Sequence, residues 1–204
     1  MRTTGLLGGA FDPPHHGHVA LADAAIAHFD LVRLLVIPTG VAPHKHVETD
    51  AETRCRLAAA AFAGRPRVEI SRWEIERGEP SYTIETTRWA KQLYGDIVFL
   101  VGADQFASLH AWKDPEEVLR LARLGVATRP GYEREELERL RQTLPDPSRV
   151  ELFEIPPWPV SSTEVRDRLR RGQPVDGLVP PPVAALIAEL GLYGARDVRG
   201  RGVH

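Results

Sequence analysis

The chain has 204 residues, of which 43% are hydrophobic and 26% are charged, and its formal net charge is -2. This size and balance fit one globular domain with a sizeable core, and the slight negative charge argues against a nucleic-acid partner held by a broad basic surface. The lone Cys55 excludes an internal disulfide and a cysteine-cluster zinc site, and without a signal peptide or an apolar run of membrane-spanning length we expect a soluble cytoplasmic protein with no membrane partner.

Buried apolar runs predict strands, and apolar residues at helical spacing predict helices. In chain order the predicted elements are strand 4–7, helix 17–29, strand 32–38, a loop rich in Gly, Pro and His at 39–50, helix 51–62, strand 67–71, helix 82–94, strand 96–101, helix 115–122, strand 124–128, helix 133–144, strand 150–155, and helices 161–171 and 181–190.

Alternation of apolar strands with helices predicts an α/β fold in which a mostly parallel central sheet carries helices on both faces. The last two helices make a small C-terminal helical part. We expect one domain over residues 1–193 and a disordered tail, rich in Gly and Arg, over residues 194–204. Ligands of such sheets bind beyond the carboxyl ends of the strands, so βα loops should carry the functional motifs.

The most informative loop follows the first predicted strand and reads Gly-Gly-Ala-Phe-Asp-Pro-Pro-His-His-Gly-His, from Gly8 to His18. Gly8 and Gly9 allow backbone amides to approach an anion, and the next helix presents its positive end. His15 and His18 are three residues apart at a helix start, so both can donate to one phosphate. A plain turn with surface histidines is the structural alternative. A metal site is a weaker one, because no carboxylate or cysteine pattern completes a zinc shell.

A second anion site is indicated at the start of the helix predicted over 161–171. Ser161 and Glu164 fit a capping box, which by itself requires no ligand. Beyond capping, Ser162 and Thr163 add hydroxyl groups to the free amides of the first turn, and Arg166 follows one turn later. Arginine is always charged and can form bidentate hydrogen bonds with phosphate oxygens. These residues together predict a second phosphate cradle.

Three further segments are candidates for substrate contacts. Asp104 follows a strand and Gly102, so it can either bind ribose hydroxyls or cap a helix. Lys45 lies in the long loop, where it can meet a phosphate or belong to a solvated basic segment. Thr83 stands at a helix start, and Trp112 can stack on a flat ring or fill the core.

In this order, the motifs resemble those of the nucleotidylyltransferases with a His-x-Gly-His signature, here His15 to His18, followed by a Ser-Ser-Thr-x-x-Arg element. Within that superfamily the chain is similar to the bacterial nicotinate-nucleotide adenylyltransferases over about residues 3–193. The segments that carry this closer resemblance are Pro43-His44-Lys45, Pro80 to Thr83, Gly102 to Asp104, Trp112, Arg129 to Tyr132 and Leu190 to Tyr193. The resemblance implies a single Rossmann-like domain.

The resemblance also implies a reaction, in which ATP and nicotinate mononucleotide give nicotinate adenine dinucleotide and pyrophosphate, with Mg²⁺ bound to the ATP phosphates rather than to a protein cage. The residues that it implies for catalysis are His15, His18 and Arg166. Those that it implies for ATP binding are Gly8, Gly9, Phe11, His15, His18, Gly102, Asp104, Ser161, Ser162 and Arg166. Those that it implies for mononucleotide binding are Lys45, Thr83 and Trp112.

Two other functions stay open at this point. One is an adenylyltransferase for another phosphate acceptor, such as nicotinamide mononucleotide or phosphopantetheine. The second is a non-catalytic nucleotide sensor on the same fold, since fold alone does not establish activity. The histidine pair and Arg166 favour an enzyme over a sensor. Pyrophosphate release with each acceptor separates the three.

Overall fold

The computed structural model describes residues 2–43, 47–128 and 134–195. Within these ranges six strands form one sheet in the order β3-β2-β1-β4-β5-β6, and every neighbouring pair is parallel. The strands are β1 (Thr4–Gly9), β2 (Arg33–Pro38), β3 (Val68–Ile70), β4 (Ile97–Gly102), β5 (Arg123–Thr128) and β6 (Val150–Glu154). The order reverses between β1 and β4, which makes the crevice above these two strands the switch point where ligands of such sheets bind.

Helices cover both faces of the sheet. They are α1 (His16–His28), α2 (Ala51–Phe62), α3 (Trp73–Arg77), α4 (Thr83–Tyr94), α5 (Ala103–Ala107), α6 (Pro115–Leu121), α7 (Arg134–Gln142), α8 (Ser162–Arg170) and α9 (Pro181–Leu190), with short 3-10 segments at Leu109–Ala111, Pro147–Arg149 and Leu192–Gly194. One core layer packs α1, α2, α8 and α9 on the sheet, and the other packs α4 to α7. The predicted Rossmann-like fold, with its small C-terminal helical part, is confirmed.

Two short helices were not predicted. α3 and α5 have five residues each, and fewer than two turns show no helical period in a sequence. The end of α3 does carry a local signal, because Gly78 follows it with φ 65° in the left-handed region. Glu133, predicted to begin a helix, and residues 196–204 of the predicted tail lie outside the described residues.

A buried carboxyl group lies under the loop that follows β2. Glu74 of α3 is 7% exposed, and its Oε1 accepts a hydrogen bond of 2.6 Å from the Thr86 hydroxyl. Burial raises the pKa of Glu74, and the hydrogen bonds from Thr86, Ser81 and the Gly40 amide only partly oppose this. The backbone of Gly40 lies so close that a Cβ there would sit 2.2 Å from the Glu74 carbonyl oxygen. Glu74 therefore helps to fix the start of this loop.

The raised pKa of Glu74 predicts a pH-dependent stability. Its contribution is complete below the unfolded-state pKa and is lost as the pH rises through the higher folded-state pKa. Between about pH 4 and about pH 8, the melting temperature of the wild type should fall relative to that of Glu74→Gln by roughly 2–4 °C, the shift that about 1 kcal/mol causes in a domain of this size. Glu76→Gln, an exposed change on the same helix, is the control. A difference that stays constant with pH would refute the assignment.

Candidate active site

A cavity of about 360 Å³ opens at the switch point, beyond the carboxyl ends of the central strands. Three βα loops contribute polar or glycine residues to its lining, namely Gly8, Gly9, His15, Gly17, His18, Gly102, Asp104, Gln105, Ser161, Ser162 and Thr163. Its apolar lining includes Leu7, Leu21, Leu100, Ala127, Ile155, Trp158 and Val160. Segments far apart in sequence, each suggested on its own as a nucleotide contact, thus meet around one space.

Two of the three histidines in the first loop line this cavity. His15 is the N-cap residue of α1, and its backbone N–H donates to Nδ1 of His18 over 3.2 Å. The two rings lie 3.8 Å apart. Because Nδ1 of His18 accepts a hydrogen bond, the proton of its neutral ring belongs on Nε2, which is then the donor atom. His16 instead stacks on Trp158, with ring centroids 5.0 Å apart.

Phe11 supports this loop from the protein core. Its side chain is 1% exposed, and its ring centroid lies 5.0 Å from that of His18. The backbone of Phe11 has φ 52°, an uncommon value for a residue with a side chain. A Cβ on Gly9 would lie 3.2 Å from the Phe11 ring. Phe11 is thus placed under the cavity, where its ring packs against a histidine, and its predicted backbone contact with ATP stays a prediction.

The start of α8 reaches the same cavity. The Ser161 hydroxyl oxygen accepts from the Glu164 backbone N–H over 3.1 Å, which confirms the serine half of the predicted capping box, while the Glu164 carboxylate contacts Arg168 instead. The Ser162 hydroxyl donates to the Pro13 carbonyl oxygen over 2.9 Å and ties this helix start to the first loop. The N-terminal ends of α1 and α8 therefore converge, and their partial positive charges act on one space.

Arg166 lies behind the first loop and is not among the residues that line the cavity. Its Nη1 donates to the Asp12 carbonyl oxygen over 2.7 Å, and its Nε is 2.9 Å from Oε1 of Glu48. Arg170 also binds the Glu48 carboxylate, and this contact is the leading cause of the lowered pKa of Glu48. Only 13% of the Arg166 side chain is exposed. The Arg166 guanidinium is therefore close to the first loop, but it forms an ion pair with the Glu48 carboxylate.

Asp104 also lines the cavity. It belongs to the first turn of α5, a helix for which Gly102 is the N-cap residue, and its side chain is exposed. An acidic residue in a first turn also interacts favourably with the helix dipole. Asp104 is therefore not the helix cap, because Gly102 is the N-cap residue and its backbone N–H donates to the Gln105 side chain. The Asp104 carboxylate lies at the cavity, where its contact with the ribose stays a prediction.

Two of the three residues predicted for the mononucleotide, Thr83 and Trp112, lie beside the cavity, on its β2 and α4 side. The Ser81 backbone N–H donates to the Val41 carbonyl oxygen over 2.8 Å, which joins the loop after β2 to the start of α4, where Thr83 is the first residue. Trp112 packs edge-on against Phe99 at 6.3 Å. None of these residues lines the cavity described above.

Phe99 connects the two regions, because a Cβ on Gly8 would lie 3.4 Å from its ring. Trp112 is therefore one aromatic ring away from the first loop. Lys45 lies outside the described residues, as do the Arg129 to Tyr132 residues of the resemblance. The structure brings Thr83 and Trp112 to one side of the cavity but gives no position for Lys45.

Sequence reasoning missed a buried arginine that joins the loops of the site. Arg54 of α2 is 1% exposed and donates to three backbone carbonyl oxygens, those of Thr49 at 3.0 Å, Ala10 at 2.9 Å and Gly40 at 3.1 Å. Burial lowers the pKa of Arg54, and the nearby Asp12 carboxylate opposes this. The sequence does hold a signal, since Arg54 shares a helix face with the apolar Leu57 one turn later.

No cluster of three or more His, Cys, Asp or Glu side chains suited to a metal ion occurs within residues 2–43, 47–128 and 134–195. In the same ranges, no helix has the length and apolar character needed to cross a membrane.

Comparisons with known proteins agree with this geometry. The sequence profile described as cytidylyltransferase-like matches residues 6–168. A probable nicotinate-nucleotide adenylyltransferase of Bordetella avium is 41% identical over 197 residues, which cover 95% of this chain and 98% of the relative. One of Moorella thermoacetica is 38% identical over 199 residues, covering 94% and 92%. The structure of Plasmodium falciparum nicotinic acid mononucleotide adenylyltransferase complexed with NaAD shares the fold with a TM-score of 0.78 at 16% identity, covering 96% and 99%.

Proposed function

The chain belongs to the cytidylyltransferase-like family, and from this premise we propose that it transfers the adenylyl group of ATP to nicotinate mononucleotide. The products are nicotinate adenine dinucleotide and pyrophosphate, which makes it a nucleotidyltransferase of NAD biosynthesis. The observation that carries the proposal is the convergence of two helix N-termini and a histidine pair on one cavity. We propose that it acts on these small molecules in the cytoplasm, with no nucleic-acid partner.

The proposed chemistry requires positioning and electrostatics more than proton removal. The attacking group is a phosphate monoester with a second pKa of about 6, so it is already largely dianionic near neutral pH. The difficulty lies in bringing two anions together and in stabilising the charge that moves onto pyrophosphate. By analogy with phosphoryl transfer, the acceptor oxygen attacks the α-phosphorus in line with the leaving oxygen.

The lining residues divide this work. His18 donates from Nε2 to the α-phosphate as charge develops there, and His15 holds the neighbouring phosphates. Gly8 and Gly9 keep the first loop free of side chains at the point of closest approach. At the other helix start, the Ser161 hydroxyl and the first-turn amide of Ser162 contact the β- and γ-phosphates, because the Ser162 hydroxyl donates its proton to Pro13. Gly102 and Asp104 hold the adenosine by its ribose.

The remaining roles fall to Arg166, Thr83 and Trp112, which do not line the cavity, and to Lys45. Arg166 binds the β- and γ-phosphates after exchanging the Glu48 carboxylate for them. Thr83 and Trp112 border the pyridine ring, and Lys45 neutralises the phosphate of the mononucleotide. The proximity of Trp112 to the first loop through Phe99 supports the placement of the acceptor on this side.

The described residues of the cavity suit a metal ion that is bound to the ATP phosphates rather than to a set of protein ligands. Asp104 is the one carboxylate in the described lining of the cavity, and Mg²⁺ keeps several water ligands when phosphates hold it. We propose that Mg²⁺ enters on the ATP phosphates, where it neutralises part of their charge. The hydroxyl groups at the start of α8 would then contact its water ligands.

Pyrophosphate release from ATP, measured with each candidate acceptor in turn, tests the function. We expect the highest kcat/KM with nicotinate mononucleotide, a lower value with nicotinamide mononucleotide, no release with phosphopantetheine, and loss of release when EDTA removes Mg²⁺. Preference for another acceptor would replace the proposed substrate. No release with any acceptor, together with ATP binding, would identify a nucleotide sensor instead.

A further inference from the structure

We propose that Tyr193 is a positioning residue, which sets the geometry of the Gly8–His18 loop through the Asp12 carboxylate and couples it to residues 47–50. This inference rests on the proposed function, because it concerns how the same site is held for transfer. Tyr193 lies near the end of the described chain, in the 3-10 segment that follows α9, and it is only 9% exposed.

The Tyr193 hydroxyl joins two segments that are distant in sequence. It donates to Oδ1 of Asp12 over 2.6 Å and accepts from the Thr49 hydroxyl over 3.0 Å. All three residues are less than a tenth exposed. Tyr193 makes these contacts from a backbone with φ 57°, a left-handed conformation that residues other than glycine adopt rarely. The chain thus holds an uncommon conformation where the ring meets Asp12.

Asp12 receives hydrogen bonds from two further elements. Its Oδ2 accepts from the Glu48 backbone N–H over 2.7 Å, and its carbonyl oxygen accepts from Arg166 over 2.7 Å. Burial favours the neutral acid, but the hydrogen bonds from the Tyr193 hydroxyl and the Glu48 amide, together with the positive charge of Arg166, outweigh it and leave the pKa of Asp12 lowered. The carboxylate is therefore charged at neutral pH, and it acts as the acceptor for Tyr193.

The position of Asp12 bears directly on the reacting groups. It precedes Pro13, whose carbonyl oxygen holds Ser162 of the second helix start, and it lies three residues before His15. A displacement of Asp12 therefore moves both halves of the phosphate site relative to each other. Arg54 provides a second tie between Ala10 and Thr49, so loss of the tyrosine hydroxyl should loosen the loop without unfolding the domain.

Tyr193→Phe removes the hydroxyl and keeps the ring. We expect kcat to fall about tenfold and the KM values for ATP and the mononucleotide to stay within about twofold, because misplaced catalytic groups weaken the transition state more than ground-state binding. Tyr94→Phe, at the end of α4 and away from the cavity lining, is the matched control and should keep wild-type kcat. Thermal melting of each variant checks that the fold is intact.

Thr49→Val provides the second readout, because it removes the other hydrogen bond of the same hydroxyl. We expect a kcat loss of about threefold, and in the double variant Thr49→Val/Tyr193→Phe a loss no greater than that of Tyr193→Phe, since residues that act through one chain of hydrogen bonds are not additive. Two independent structural defects would multiply instead and would overturn the proposal.

Wild-type kcat in Tyr193→Phe overturns the proposal, and if that variant does not fold, wild-type kcat in Thr49→Val does so. The proposed function is tested separately by the wild-type protein. If the wild-type protein releases no pyrophosphate with nicotinate mononucleotide, the proposed function is overturned. If the wild type is active and Tyr193→Phe has the same kcat, only the positioning role is overturned.

Discussion

Replacing His18 with alanine is expected to lower kcat about a hundredfold and to leave the KM for ATP within about threefold. The loss of one preorganised donor aimed at developing charge has an effect of this order. The effect falls on kcat because the interaction strengthens only as charge moves onto the phosphates. The backbone N–H of His15 holds Nδ1 of His18 and so leaves Nε2 as the donor.

His16→Ala is the matched control, since His16 belongs to the same signature but does not itself line the cavity; its ring stacks on the lining residue Trp158 from outside. Steady-state kinetics with both substrates varied should show near wild-type kcat for this control. Thermal melting of His18→Ala is needed as well, because its ring also packs near Phe11. Near wild-type kcat in a folded His18→Ala would remove His18 from the catalytic groups.

The sequence was sufficient to predict the sheet and the place of the site, because both follow from local patterns. Six apolar runs separated by helical segments specify parallel strands, and the βα loops of such strands meet at one edge. The loops that begin at Gly8, Gly102 and Pro156 therefore could be assigned to one cavity without any knowledge of their distances. The serine cap of α8 was also local, since it spans three residues.

The contacts that brace the site could not be predicted in this way. Tyr193 and Asp12 are 181 residues apart, and no periodicity links two such positions. Arg54 looks like an ordinary helical residue until the loops fold over it. The partner of Arg166 was missed for the same reason, because the Glu48 side chain reaches it only after the loop before α2 has packed against α8.

The ion pair between Arg166 and Glu48 leads to the second prediction with a large expected effect on activity. If Arg166 exchanges Glu48 for the β- and γ-phosphates, Arg166→Ala should lower kcat/KM for ATP by roughly 10- to 100-fold, since a hydrogen bond to a charged group contributes about 1.5–3 kcal/mol. The affinity of the Arg166→Ala variant for pyrophosphate, measured as product inhibition, should fall by a similar factor. Arg168→Ala, which removes a partly exposed arginine of the same helix that pairs with Glu164, should change neither value.

The Glu48→Gln variant distinguishes two roles for Arg166, namely binding the ATP phosphates and holding the loop through Glu48. If Arg166 serves only to hold Glu48, then removing either charge breaks the same ion pair, and Glu48→Gln should be as slow as Arg166→Ala. If Arg166 binds the phosphates, Glu48→Gln removes a competing carboxylate and should keep kcat/KM for ATP within about threefold of the wild type. Equal losses in the two variants and in their double variant would assign Arg166 to the loop, and the phosphates would then depend on the two helix starts and the histidines alone.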